Sequence, residues 1–253
     1  GGQVAVFGLV DSLGPSYWES PALFRVIRHL KGWGILNPAE YPRDGGNQWQ
    51  GHEPDVVQIL PPAQEVPLEW GDQVLSGLGL WLDERAPLLV VARRPDAQLA
   101  AWDAIARSRH VLGICAVGVD WEGEEAAFPL TYLMVRRGFG PYGRAEISAA
   151  LRAGHSFCAL GGLGDPTGFR FQLFDAKTGK MLAMMGDELV IPPDGADLVV
   201  DLGLARVPKG LRIHLLADGI QVASSAELNL RHRVERAGSY RVEIGLVGGD
   251  FPW

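Results

Sequence analysis

Around residues 144–171 the hydrophobic period of this chain changes, and any fold it adopts has to accommodate that change. In RAEISAALRAGHSFCAL, residues Ile147, Ala150 and Leu151 recur at i, i+3 and i+4, which puts one apolar stripe on a short helix. Arg152 in the last turn and Gly154 directly after it are the residues that end a helix well. A strand-like SFCAL follows, then GGLGDPTG, whose four glycines and one proline cannot continue a helix and mark a junction. Upstream of this stretch helical patterns alternate with apolar strand runs. Downstream there are only strands and turns.

Upstream, short apolar runs at 4–10, 33–36, 55–60, 87–92, 110–119 and 128–136 read as strands. Between them lie helical patterns. Ser20-Pro21 is an N-cap followed by proline at the first helical position, leading into Leu23, Val26, Ile27 and Leu30. Residues 73–82 form a second pattern, weakened by Gly77 and Gly79. Pro95-Asp96 opens a third, with Leu99, Trp102 and Ala106 inward. This alternation predicts an α/β fold with a mainly parallel sheet or barrel, its ligand site at the carboxyl ends of the strands. Those ends are Asn37, Leu60, Ala92 and Asp120.

Downstream the period is two. Phe169, Phe171 and Leu173 alternate with polar neighbours, and Leu211, Ile213 and Leu215 alternate with Arg212 and His214. Asp218-Gly219 between that run and residues 220–222 is a hairpin turn signal, and Tyr240, Val242 and Ile244 share one face of a last strand. Strands at this spacing predict a small antiparallel β-sandwich. The expected division is 1–160 for the α/β part and 161–253 for the sandwich.

Asp120 stands just past a buried apolar strand and is followed by Glu122, Glu124 and Glu125. Such a carboxylate can bind a hard cation or act as a base, and the bland reading is a solvated polar turn. The loop 37–54 offers Asn37, Glu40, Asp44 and His52 as ligand types, with Tyr41 and Trp49 able to stack on a sugar. None of these pairs has a diagnostic spacing, and an ordinary structured loop is the competing reading. The six histidines read as structural, with His52 the best candidate for more. Cys115 and Cys158 both lie in apolar runs and read as small buried hydrophobes, a disulfide or a nucleophile being the alternatives.

The net charge of −7 and pI near 5.4 argue against a nucleic-acid footprint, which needs a basic stripe. No apolar run approaches the roughly 20 residues of a membrane helix. GGQVAVFGLV has neither Met nor a basic start, so a signal peptide is expected to have been removed if the protein is exported.

With these residues in view, the chain resembles the PHP (polymerase and histidinol phosphatase) family, in particular bacterial members whose barrel is followed by a β-sandwich. The resemblance rests on GWGILNPAEYP (32–42), WDAIARSRHVLGICAVGVDWEG (102–123) and the segment 131–160 ending ALRAGHSFCAL, the last being the most specific. It implies a distorted β/α barrel, whole or partial, holding divalent ions (Mn, Zn or Fe) and hydrolysing phosphoesters. This sequence departs from the family pattern at the metal motifs. The opening H-x-H is absent, Asn37 runs directly into Pro38 with no histidine between, and Glu122 stands where a histidine would follow Asp120. Asp120 alone carries over as a metal ligand and catalytic residue, with Glu122 as an oxygen substitute. The front of the implied barrel is short, so the sequence is expected to begin inside the domain or to have shed that part.

Three readings follow. The first is a soluble PHP-like pseudoenzyme with a degenerate metal centre and weak or no phosphoesterase activity. The second is an active metal-dependent hydrolase using Asp120, Glu122, Asp44 and His52 on a small phosphoester. The third is an extracytoplasmic sugar- or protein-binding module, with Asn37, Glu40, Tyr41 and Trp49 facing a glycan or other ligand. Substrate, compartment and oligomeric state are left open.

Overall fold

A computed structural model describes residues 3–7, 33–37, 56–60, 94–115, 129–135, 143–160, 165–207, 209–247 and 250–251. The upstream strands are β1 (Gln3–Phe7), β2 (Trp33–Asn37), β3 (Val56–Leu60) and β4 (Leu112–Cys115), forming one sheet in that order. Helix α1 (Asp96–Ala106) precedes β4. Then come β5 (Pro129–Leu133), helix α2 (Arg144–Ala153) and β6 (Ser156–Leu160), with β5 and β6 forming a separate two-stranded sheet.

The expected β/α barrel is not what forms. The described residues are mostly antiparallel sheet with two short helices, and no barrel closes among them. Among the described strands only β2–β3 and β3–β4 pair in parallel; β1 runs antiparallel to β2, with Gln3 opposite Asn37. The most specific segment of the PHP resemblance shows why the alternation misleads. In a barrel, β5 and β6 with α2 between them would be parallel, yet Pro129 pairs with Leu160 and Leu133 with Ser156. Gly154 ends α2 in the left-handed conformation (φ 71), and β6 starts two residues later, so the chain turns straight back along β5. A helix between two strands therefore does not here mean a crossover. The fold lends no support to a PHP domain. The helical patterns at 20–31 and 73–82 and the strand at 87–92 lie outside the described residues.

The downstream strands are β7 (Arg170–Asp175), β8 (Met181–Met184), β9 (Ala196–Asp201), β10 (Leu211–Ala217), β11 (Ile220–Ser225), β12 (Asn229–Val234), β13 (Tyr240–Val247) and β14 (Asp250–Phe251). They form two four-stranded antiparallel sheets, ordered β12-β9-β7-β8 and β11-β10-β13-β14. Alternation decides which residues the sheets share as core. Leu211, Ile213 and Leu215 of β10 point to one side with Leu198 and Val200 of β9, Leu230 and Val234 of β12, and Phe169. Phe171, Leu173, Tyr240, Val242 and Ile244 pack around them. Asp218 (φ 53) and Gly219 (φ 81) both take positive φ, which the two-residue turn between β10 and β11 demands. Within that pair the register shifts between Leu215 and Leu216.

The outer edge of the first sheet is charged. Arg231 and Arg233 on β12 both reach Asp197 on β9, at 2.8 and 3.3 Å. The Arg231 hydrogen bond, with Arg233, holds the Asp197 carboxyl below its ordinary value.

Ile213 and Val200 have no exposed surface, so shortening either leaves a void the sheets cannot easily close. Ile213→Ala is expected to cost roughly 2–5 kcal/mol and Ile213→Val about 0.5–1.5 kcal/mol. Urea unfolding of both variants checks this ordering; equal midpoints for the two would contradict a tightly packed core.

Candidate functional site

Asn37 is the last residue of β2, opposite Gln3. Glu40, Tyr41, Asp44, Trp49, His52, Asp120 and Glu122 lie outside the described residues. Among the described residues no group of three or more His, Cys, Asp or Glu side chains could hold a metal ion. The structure instead brings together two sets of residues, one of them the cysteine pair for which the sequence leaves a disulfide as an alternative.

The first is covalent. Cys115 at the end of β4 and Cys158 in β6 form a disulfide, with Cα atoms 5.7 Å apart and a sequence separation of 43. This corrects the reading of both cysteines as free buried hydrophobes. An even count of two, each on a strand, was compatible with pairing, but a separation of 43 carries no local sign of it. Thr131 of β5 reinforces the same joint. Its hydroxyl accepts a hydrogen bond from the Cys115 N–H (2.8 Å) and donates one to the Cys115 carbonyl (2.9 Å). Cys115 is thus tied to β5 by a side chain and to β6 by sulfur.

The second is ionic and sits between α1 and the outward side of β13. Arg241 and Glu243 alternate with the core residues Tyr240, Val242 and Ile244, so they face away from the sandwich interior. They are nevertheless buried. The Arg241 guanidinium makes a two-pronged bond to Asp103 of α1, Nε to Oδ1 at 2.7 Å and Nη2 to Oδ2 at 2.9 Å, and also bonds Glu243. Arg94, just before α1, holds the other side of Glu243 through Nε (3.0 Å) and Nη2 (2.8 Å) and reaches Asp96 as well. Trp102 lies with its ring centroid 5.9 Å from the Arg241 guanidinium carbon, and its indole N–H donates to the Val111 carbonyl at 3.2 Å. His214 of β10 stands directly across from Glu243, its Nδ1 enclosed and without a partner.

The buried guanidinium of Arg241 and the partly buried one of Arg94 meet the buried carboxylates of Asp103 and Glu243, so these four charges balance, with Asp96 exposed at the rim. Burial works against ionisation of Glu243, but the hydrogen bonds from Arg94 and Arg241 outweigh it and hold the carboxyl below its ordinary value. Burial likewise opposes the charge on Arg241, and the bonds to Asp103 and Glu243 overcome it and raise its pKa. A general acid or base works best with a pKa near the working pH. Glu243 is driven the other way and its oxygens are already occupied, so the cluster positions α1 and does not transfer protons. Alternating charges on β13 look the same in sequence whether water or a helix covers them.

A cavity of about 1450 Å³ borders α1, β6 and the sandwich, with Leu99, Trp102, Phe157, Phe169, Leu202 and Ile244 on its walls.

Removing one member of the cluster strands a buried charge. Arg241→Met is expected to lower stability by about 3–5 kcal/mol. His214→Leu removes an imidazole whose Nδ1 is enclosed without a partner and is expected to be neutral or stabilising. Chemical denaturation of the two variants separates these outcomes. Because the folded-state pKa of Glu243 is depressed, its contribution is present above the ordinary carboxylate range and lost as pH falls through its folded value. Unfolding midpoints measured on acidification should fall more steeply for the parent than for Glu243→Gln.

Comparison of the chain with protein-family models, with curated proteins and with solved structures finds no match.

Proposed function

We propose that this chain is an extracytoplasmic protein-binding module. The disulfide between Cys115 and Cys158 carries the reading. Disulfides persist in oxidising compartments and are kept reduced in the cytosol of most cells. The charge of −7 weighs against nucleic acid as partner, and no helix of the described residues is long and apolar enough to cross a membrane.

The exposed apolar side chains favour protein over glycan. Among the described residues they are aliphatic or methionine, including Met181, Leu189, Val190 and Ile220, with Val190 92% exposed. Sugars are held against flat aromatic faces, whereas aliphatic groups suit burial against another protein. Leu189 and Val190 sit together between β8 and β9, on a connecting segment of the kind that carries recognition in sandwich folds.

The test begins with protein isolated from its native source under alkylating conditions. No free thiol is expected at Cys115 or Cys158, and two alkylated thiols would overturn the assigned compartment. Reduction should lower stability by roughly 4 kcal/mol on the chain-entropy estimate for a loop this long. Chromogenic phosphodiester turnover that disappears in Asp120→Ala would replace the binding reading with the metal-dependent hydrolase.

A further inference from the structure

Two histidines from different elements close on one short segment of the sandwich. His155, between α2 and β6, places Nε2 2.9 Å from Oδ1 of Asp187. His110, just before β4, places Nε2 3.0 Å from the Gly186 carbonyl. The segment they hold, Met184 to Asp187, is folded on itself: Asp187 Oδ2 accepts the Met184 N–H at 3.0 Å, and the Asp187 N–H donates to the Met184 carbonyl at 3.1 Å. Gly186 (φ 88) lies so close to the end of α2 that an added Cβ would be 2.2 Å from the Ala153 carbonyl oxygen. Only a residue without a side chain fits there, so the segment is seated in a notch rather than resting on a surface.

We propose that His155 and Asp187 form a pH-sensitive clasp that fastens the segment 184–187 to the α2–β6 turn and tightens in mild acid. The pair is a full ion pair only when Asp187 is ionised and His155 is protonated. Burial disfavours the Asp187 carboxylate, but the His155 and Met184 hydrogen bonds outweigh it and hold the carboxyl below its ordinary value. Asp187 therefore stays charged well into the acid range, while imidazoles change charge between about pH 5 and 8. Above that window the neutral ring keeps a hydrogen bond but loses the charge attraction. Among the described residues, the other charged groups on the elements that meet at the clasp are Arg109 and His110 ahead of β4, Arg152 in the last turn of α2, and Glu188 beside Asp187. His110 bonds a carbonyl rather than a carboxylate, so its protonation adds less.

The clasp sits immediately before Leu189 and Val190, so its opening would free the segment that presents them. Side-chain exposures of 24% for His155 and 41% for Asp187 make this a modest switch.

Amide hydrogen exchange at Asp187 in the intact protein, corrected for intrinsic rates, tests it at about pH 5.5 and about pH 8. Protection is expected to be about threefold greater at the lower pH. His155→Gln keeps a donor that cannot be charged, and Asp187→Asn keeps an acceptor that cannot ionise. Each should leave the segment seated and abolish the pH difference. His110→Gln should retain the difference. Equal protection at both pH values in the parent, or a difference that survives in His155→Gln, or one lost only in His110→Gln, would overturn the proposal.

Discussion

The contact on which the arrangement around α1 depends is the two-pronged bond between Arg241 and Asp103. An outward-facing charge on a sandwich strand ordinarily meets water. Here α1 covers it, and desolvating one guanidinium is tolerable only because Asp103 arrives with matched geometry and Arg94 neutralises Glu243 in turn. The four side chains need one another. A helix displaced by one turn would leave two charges buried without partners, whereas an apolar contact in the same place would tolerate sliding. The cluster's contribution is thus as much to register as to stability. His214, enclosed beside it without a partner for Nδ1, shows that this polar layer is not optimised throughout.

Local features of the fold were legible in the sequence. The turn at Asp218-Gly219, the end of α2 at Gly154 and the inward sides of β7, β10 and β13 follow from backbone sterics and period two, which act over a few residues. Strand direction was not legible. Whether β6 lies parallel or antiparallel to β5 is set by the path of the chain between Leu133 and Ser156, and the helix within that path is compatible with both. Reading it as a crossover led to a barrel. The two sets of residues that the structure assembles are nonlocal as well. Arg241 and Asp103 are 138 positions apart and the cysteines 43, so neither pairing leaves a spacing to find.

Within the upstream part, the four-stranded sheet and the β5–β6 pair do not share a ladder. Their joint centres on Cys115, which is held by sulfur from β6 and by the Thr131 hydroxyl from β5. A backbone ladder would spread that connection over several residues and would melt strand by strand. A single covalent point instead keeps the two sheets together even when neighbouring hydrogen bonds open.

The free edges of the sandwich have a consequence for how densely this protein can be packed. An open strand edge invites pairing with another copy. At β12 the invitation is withdrawn by Arg231 and Arg233, whose charges would face their own kind across any strand added in the opposite direction. At β11, which carries no charge, the shift of register between Leu215 and Leu216 twists the strand out of line. Charge guards β12 and irregularity guards β11, so neither of these two edges readily zips with that of another copy into a shared sheet.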